Sequence, residues 1–104
     1  GAYGDRIGEI DFEPLDKTLE TDSITYPLYT MRVTFVPQHE ARVAKAFVER
    51  YIATQLNNRN LDDRNVMVAQ GTEAELVQET APPIVQIEVM GIPHSRMRII
   101  PAGD

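Results

Sequence analysis

The chain has 104 residues, of which 42% are apolar and 25% charged, so it fits one globular domain and is too apolar for a disordered segment. It contains no cysteine, which excludes disulfides, thiol nucleophiles and thiolate metal sites and suits a reducing compartment. No apolar run approaches the roughly 18 residues of a membrane span. We therefore expect a soluble, cytoplasmic domain without a membrane segment.

The negative charge is concentrated at the N-terminus. Residues 1–22 hold seven acidic and two basic side chains, a net of −5, whereas the whole chain has a net charge of −6. Five large apolar side chains lie among these acids without a regular period: Ile7, Ile10, Phe12, Leu15 and Leu19. A purely solvating tail would not carry them. We predict that residues 1–24 form an extended acidic arm that docks on a partner, and that residues 25–104 form a single α+β domain.

A strand and a helix are predicted directly after the arm. Residues Leu28–Val36 alternate between apolar and mostly polar side chains, and Pro27 and Pro37 mark the limits of this strand. From Gln38 to about Leu56 the spacing of apolar residues is that of an amphipathic helix. The predicted buried stripe consists of Val43, Ala44, Phe47, Val48, Tyr51, Ile52 and Leu56.

Three further strands are predicted in the C-terminal half. Residues Asn65–Gln70 contain a short apolar run typical of an interior strand. Thr72 and Glu75 form a capping-box pattern, which favours a short helix over Glu73–Glu79, although an extended conformation also fits. Ile84–Met90 and Arg96–Ile100 alternate, and we expect these last two strands to pair as a hairpin.

These elements predict an α+β fold, a two-layer sandwich in which one main amphipathic helix covers a four-stranded mixed sheet. The order β-α-β-(α)-β-β is related in topology to ferredoxin-like folds. The sheet is predicted to be mixed because the connection from Val36 to Val66 is long enough for a crossover between parallel strands. A single helix leaves the second side of such a sheet uncovered.

The chain offers no convergent set of catalytic groups. His39 and His94 are its only histidines, and neither lies at a spacing typical of a metal site. Phosphate-binding glycine motifs are absent, and the sequence pI of about 4.8 argues against nucleic acid as a partner. We therefore predict no catalytic residue, no metal and no cofactor, and we expect His39 to be solvated.

Our first hypothesis is a non-catalytic assembly or adaptor protein, acting as a homo-oligomer or as a small subunit of a larger complex. Its partner is another protein, bound by the arm and by the uncovered side of the sheet. The predicted interface residues are Ile7, Ile10, Phe12, Leu15, Leu19, Leu28, Thr30, Arg32, Thr34, Arg96 and Arg98.

A second hypothesis is a small enzyme or ligand-binding protein. The stretch Tyr29–Glu40, a strand that runs straight into a helix, resembles the opening of dimeric α+β barrel domains. That resemblance implies two sheets packed face to face and a pocket between each sheet and its helix. Tyr51, His94 and Arg96 are then the candidate pocket residues.

Overall fold

The computed structural model describes residues 5–54 and 66–91, and strands occupy 54% of this part of the chain. The predicted last strand, Arg96–Ile100, and its hairpin lie outside the described residues. The elements are β1 (Ile7–Thr21), β2 (Ile24–Phe35), α1 (Ala41–Phe47), β3 (Val66–Met67), β4 (Glu75–Gln78) and β5 (Ile84–Gly91).

The predicted helix-covered sandwich with a mixed sheet is wrong, because the sheet is a curled, antiparallel half-barrel. Its strand order is β1-β2-β5-β3, and β4 also pairs with β5. Every pairing among the described strands is antiparallel. Strands β2 and β3 do point in the same direction, since both run antiparallel to β5. However, β5 lies between them, so the parallel neighbours that we expected do not form.

The acidic segment is part of this sheet rather than a separate arm. Strand β1 pairs with β2 from Ile7 to Thr21. The two strands are joined by a two-residue turn at Asp22 and Ser23, whose positive φ values of 53° and 64° are those of a type I′ hairpin. The register shifts between Pro14 and Thr18, around Asp16 with a φ of 57°, and this irregularity breaks the apolar alternation of β1.

Strand β2 carries buried apolar side chains on opposite faces at its two ends. Met31, Val33 and Phe35 pack against α1 in the main core. Tyr26 and Leu28 have the opposite parity and therefore lie on the other face. They form a second cluster with Met90 of β5. The central part of that second face is polar, so each face of the sheet is apolar along only part of its length.

The helix begins later than the predicted Gln38 and changes its geometry midway, while the predicted last residue, Leu56, lies outside the described residues. It begins at Ala41, and after Phe47 it continues as a π-helical segment, Val48–Ile52. The Ala53 N–H donates to the Val48 carbonyl, five residues earlier. In this wider turn Val48, Ile52 and Ala53 are all buried. Tyr51 is 55% exposed and Val43 39% exposed. The prediction that these two residues are buried was wrong.

Two smaller predictions are also corrected. Of the two conformations that fit Glu73–Glu79, the extended one forms rather than the favoured short helix, because Leu76 pairs with Val85 in β4 and packs on the main core. His39 is half-buried rather than solvated, and its ring centroid lies 4.3 Å from that of Phe35. The strand predicted over Ile84–Met90 is confirmed, with Val85, Ile87 and Val89 buried as expected.

Gly91, at the end of β5, provides a direct test of this packing. A Cβ atom on Gly91 would lie 2.9 Å from the Tyr29 ring and 3.3 Å from Pro27. We expect Gly91→Ala to lower the free energy of unfolding by about 1–2 kcal/mol, because a methyl group would overpack this contact. Urea denaturation of the variant measures the change. A Gly91→Ala protein as stable as the parent chain would contradict the close approach of β2 and β5.

Candidate interaction surface

The candidate surface starts at the outer edge of β1, which pairs only with β2 among the described residues. Over residues 9–13 its side chains alternate strictly between acidic and apolar. Glu9, Asp11 and Glu13 are exposed, and we call them the acidic edge. Ile10 and Phe12 point to the other side, where they pack against the main core and are half-buried. The edge therefore presents a row of carboxylates beside incompletely covered apolar side chains.

The acidic edge continues into a polar surface across three strands. Asp11 lies opposite Arg32 of β2, which in turn lies opposite Gln86 of β5. Side chains directly opposite each other in antiparallel strands project from the same face. We define the polar face by these rows: Asp11, Glu13, Thr30, Arg32, Thr34, Gln86 and Glu88. It is the face turned away from α1.

The two cations near the polar face are directed toward β5. Arg32 donates from Nε and Nη2 to the Gln86 Oε1 atom, at 3.3 and 2.9 Å. Lys17 Nζ lies 3.9 Å from a Glu88 carboxylate oxygen, and both side chains are largely exposed. An exposed ion pair of this length contributes little to stability. Among the described residues, no ion pair within 4 Å involves the acidic edge, and Arg32, directly opposite Asp11, is the one cation in register with it.

A shallow groove of about 220 Å³ separates the acidic edge from the centre of the polar face. It is lined by Asp11, Phe12, Glu13, Thr30, Arg32 and Gln86. The groove places two carboxylates on one wall and a guanidinium on the other. Such a lining suits the polar side chains of a partner segment that lies alongside β1.

The predicted interface residues differ in exposure and in the face of the sheet on which they lie. Ile7, Ile10, Phe12 and Leu15 are half-buried, Leu19 is 41% exposed, and Leu28 is buried in the second cluster. Thr30, Arg32 and Thr34 all lie on the polar face. Arg96 and Arg98 lie outside the described residues. Sequence reasoning missed that Glu9, Asp11 and Glu13 share one face, although their spacing of two along the chain indicates it.

Of the residues assigned to a small-molecule pocket, the structure describes only Tyr51. Its side chain projects outward from the π-helical segment instead of lying between helix and sheet. His94 and Arg96 lie outside the described residues.

Comparisons with known protein families, with curated proteins and with solved structures find no match to this chain. Within residues 5–54 and 66–91, no three or more His, Asp or Glu side chains are grouped so that they would hold a metal ion. In the same part of the chain, no helix has the length and apolar character needed to cross a membrane.

Proposed function

We propose that this protein is a non-catalytic assembly or adaptor module that binds an extended segment of another protein along the outer edge of β1. The observation that carries the proposal is the acidic edge, a row of three exposed carboxylates on a strand with one open side in the described structure. An exposed strand edge offers backbone groups for the addition of a further strand. Such a module would act in the cytoplasm, where a cysteine-free chain is well suited.

The charge of the edge defines the partner. An antiparallel pairing of β1 with β1 of a second copy that matched polar to polar faces would bring the acids of the two copies opposite one another. Like charges directly opposite each other destabilise a sheet. A partner strand that alternates lysine or arginine with apolar residues would instead match both sides of β1. We therefore expect a different protein, with a basic strand, rather than a homodimer through this edge.

A selection of random peptides tests this specificity. A phage-displayed library of ten-residue peptides is selected on the protein and counter-selected on a variant with a neutralised edge, Glu9→Gln, Asp11→Asn and Glu13→Gln. We expect the enriched peptides to alternate basic and β-branched or aromatic residues. Enrichment of acidic peptides, or no enrichment over the counter-selection, would refute the proposal.

Neutralising the acidic edge is expected to weaken the binding of the selected peptides about tenfold. Exposed charge pairs contribute about 0.2–1 kcal/mol each, so three lost pairs amount to roughly 0.6–3 kcal/mol, and 1.4 kcal/mol is a factor of ten. Isothermal titration calorimetry at low and high salt measures this loss. Wild-type affinity should fall as salt is raised, because the interacting charges are exposed.

A matched control removes the same charge elsewhere. Glu40, Glu73 and Glu79 are exposed and lie away from β1, so their triple replacement by glutamine should leave binding nearly unchanged. Amide hydrogen exchange provides the second readout, since strand addition should protect β1 amides in the complex. Equal losses in both triple variants, or protection confined to other elements, would contradict binding at this edge.

A further inference from the structure

A cleft on the outer side of α1 is separate from the polar face. It has a volume of about 240 Å³ and is lined by Arg6, Val43, Ala46, Phe47, Arg50 and Tyr51. Its floor is apolar, and its two charged side chains, Arg6 and Arg50, both carry guanidinium groups. The cleft therefore combines an apolar base with positive charge, on a chain whose net charge is −6.

The aromatic side chains of the cleft are held in defined positions. Phe47 is buried and meets Phe35 edge to face, with ring centroids 5.8 Å apart and an interplanar angle of 77°. The Tyr51 ring lies 5.3 Å from that of Phe47, at an angle of 38°. Because Tyr51 is 55% exposed, its ring forms an accessible wall beside a fixed floor. This geometry suits a flat apolar group.

The two guanidinium groups form no ion pair within residues 5–54 and 66–91. The Arg6 guanidinium carbon lies 5.0 Å from the centroid of the Phe47 ring, in a cation–π contact. Neither Arg6 nor Arg50 forms an ion pair with a described carboxylate. By contrast, Arg42 on the same helix lies 3.0 Å from a Glu40 oxygen. Guanidinium groups recognise carboxylates with paired hydrogen bonds, so a single acid group is a suitable ligand.

The backbone provides an independent observation at the same place. Arg50 and Tyr51 both belong to the π-helical segment, Val48–Ile52. Such turns are rare and occur frequently at functional sites. Here the extra residue in the turn accompanies the outward position of Tyr51 beside the cleft.

We propose that this cleft binds a small aromatic carboxylate, with its ring against the exposed side chains of Val43 and Tyr51 and its carboxylate on Arg6 and Arg50. The cleft is smaller than the roughly 300–1,000 Å³ of pockets for drug-sized ligands, so a ligand of one or two rings fits and a nucleotide does not. The site is distinct from the acidic edge, and its ligand is a small molecule rather than a protein strand.

Titration of ¹⁵N-labelled protein with phenylacetate, followed by amide chemical shifts, tests the site. We expect the amides of Phe47, Arg50 and Tyr51 to shift, with a Kd of about 1–10 mM. Phenylacetamide has the same shape without the charge and should bind at least tenfold more weakly. No shifts up to 50 mM phenylacetate (about five times the upper expected Kd), shifts confined to other elements, or equal binding of the amide would overturn the proposal.

Single substitutions test whether the ligand carboxylate binds to the guanidinium groups of this cleft. Arg50→Gln should weaken phenylacetate binding about fivefold to tenfold, because it removes one partner of the carboxylate. Arg42→Gln removes the same charge from the same helix and should leave binding within twofold. Both side chains are exposed, and the amide spectrum of each variant reports whether the fold is retained. Equal effects of the two substitutions would show only general electrostatic attraction and would overturn the assignment.

Discussion

Replacing Phe35 with alanine is expected to lower the free energy of unfolding by about 3–5 kcal/mol. Phe35 is 1% exposed and is the largest of the fully buried side chains. Its ring contacts both His39, in the turn before the helix, and Phe47, the last residue of α1, so it joins the end of β2 to the helix. Truncation would remove this apolar burial and leave a cavity that a fixed β-strand cannot fill.

Urea denaturation followed by circular dichroism measures this loss. Val77→Ala is the matched control, because Val77 is 41% exposed on β4 and its truncation should cost less than about 1 kcal/mol. If Phe35→Ala does not fold, the milder Phe35→Leu should still unfold at a lower urea concentration than the parent chain. Equal stability of Phe35→Leu, Val77→Ala and the parent would contradict the described core.

Glu49→Ala is expected to lower the free energy of unfolding by about 1.5–3 kcal/mol, although Glu49 is on the helix and is only half-buried. Its Oε2 atom accepts a hydrogen bond of 2.7 Å from the Ala74 N–H, in the segment before β4. Ala74 is 4% exposed, so its donor would lose its partner in a buried position. A hydrogen bond to a charged acceptor, together with the desolvated donor, accounts for this magnitude.

Glu49→Gln separates the hydrogen bond from the charge. The glutamine side chain has the same length and retains an acceptor oxygen. Glu49→Gln should therefore lower the free energy of unfolding by less than half as much as Glu49→Ala. Thermal unfolding gives the comparison, since about 1 kcal/mol corresponds to a shift in Tm of roughly 4–8 °C for a domain of this size. If glutamine and alanine destabilise the protein equally, the contact with Ala74 does not hold the helix to β4.

The sequence predicts an element correctly where its apolar residues recur with an uninterrupted period. Val85, Ile87 and Val89 alternate regularly, and β5 has nearly the predicted limits. A short strand over Arg6–Phe12 fits the sequence, but the full length of β1 was not predicted, because Pro14 and the irregularity at Asp16 interrupt its alternation. Its hairpin turn, Asp22-Ser23, also lacks the glycine that normally identifies a type I′ turn.

Other errors arose where tertiary contacts outweigh local preference. Thr72 and Glu75 match a helix-capping pattern, yet β4 forms because Leu76 gains a place on the core beside β5. A regular helical period placed Tyr51 in the core, and no residue pattern indicated the π-helical segment that accompanies its exposure. Arg50 and Tyr51 of the cleft both lie in this segment, so the sequence pointed to Tyr51 as a pocket residue but placed that pocket between helix and sheet.

The central position of β5 has a consequence for synthesis of the chain. Thr34 pairs with Ile84, 50 positions later, and Leu28 pairs with Met90, 62 positions later. The hairpin of β1 and β2 is local and can close in about 1–10 μs, but β3 and β4 have no strand to join before β5 is made. A ribosome adds about 5–20 residues per second, so the edge of β2 that pairs with β5 stays without its partner strand for several seconds. We expect holding chaperones to bind the nascent chain during that interval, because an unpaired strand edge is prone to aggregate.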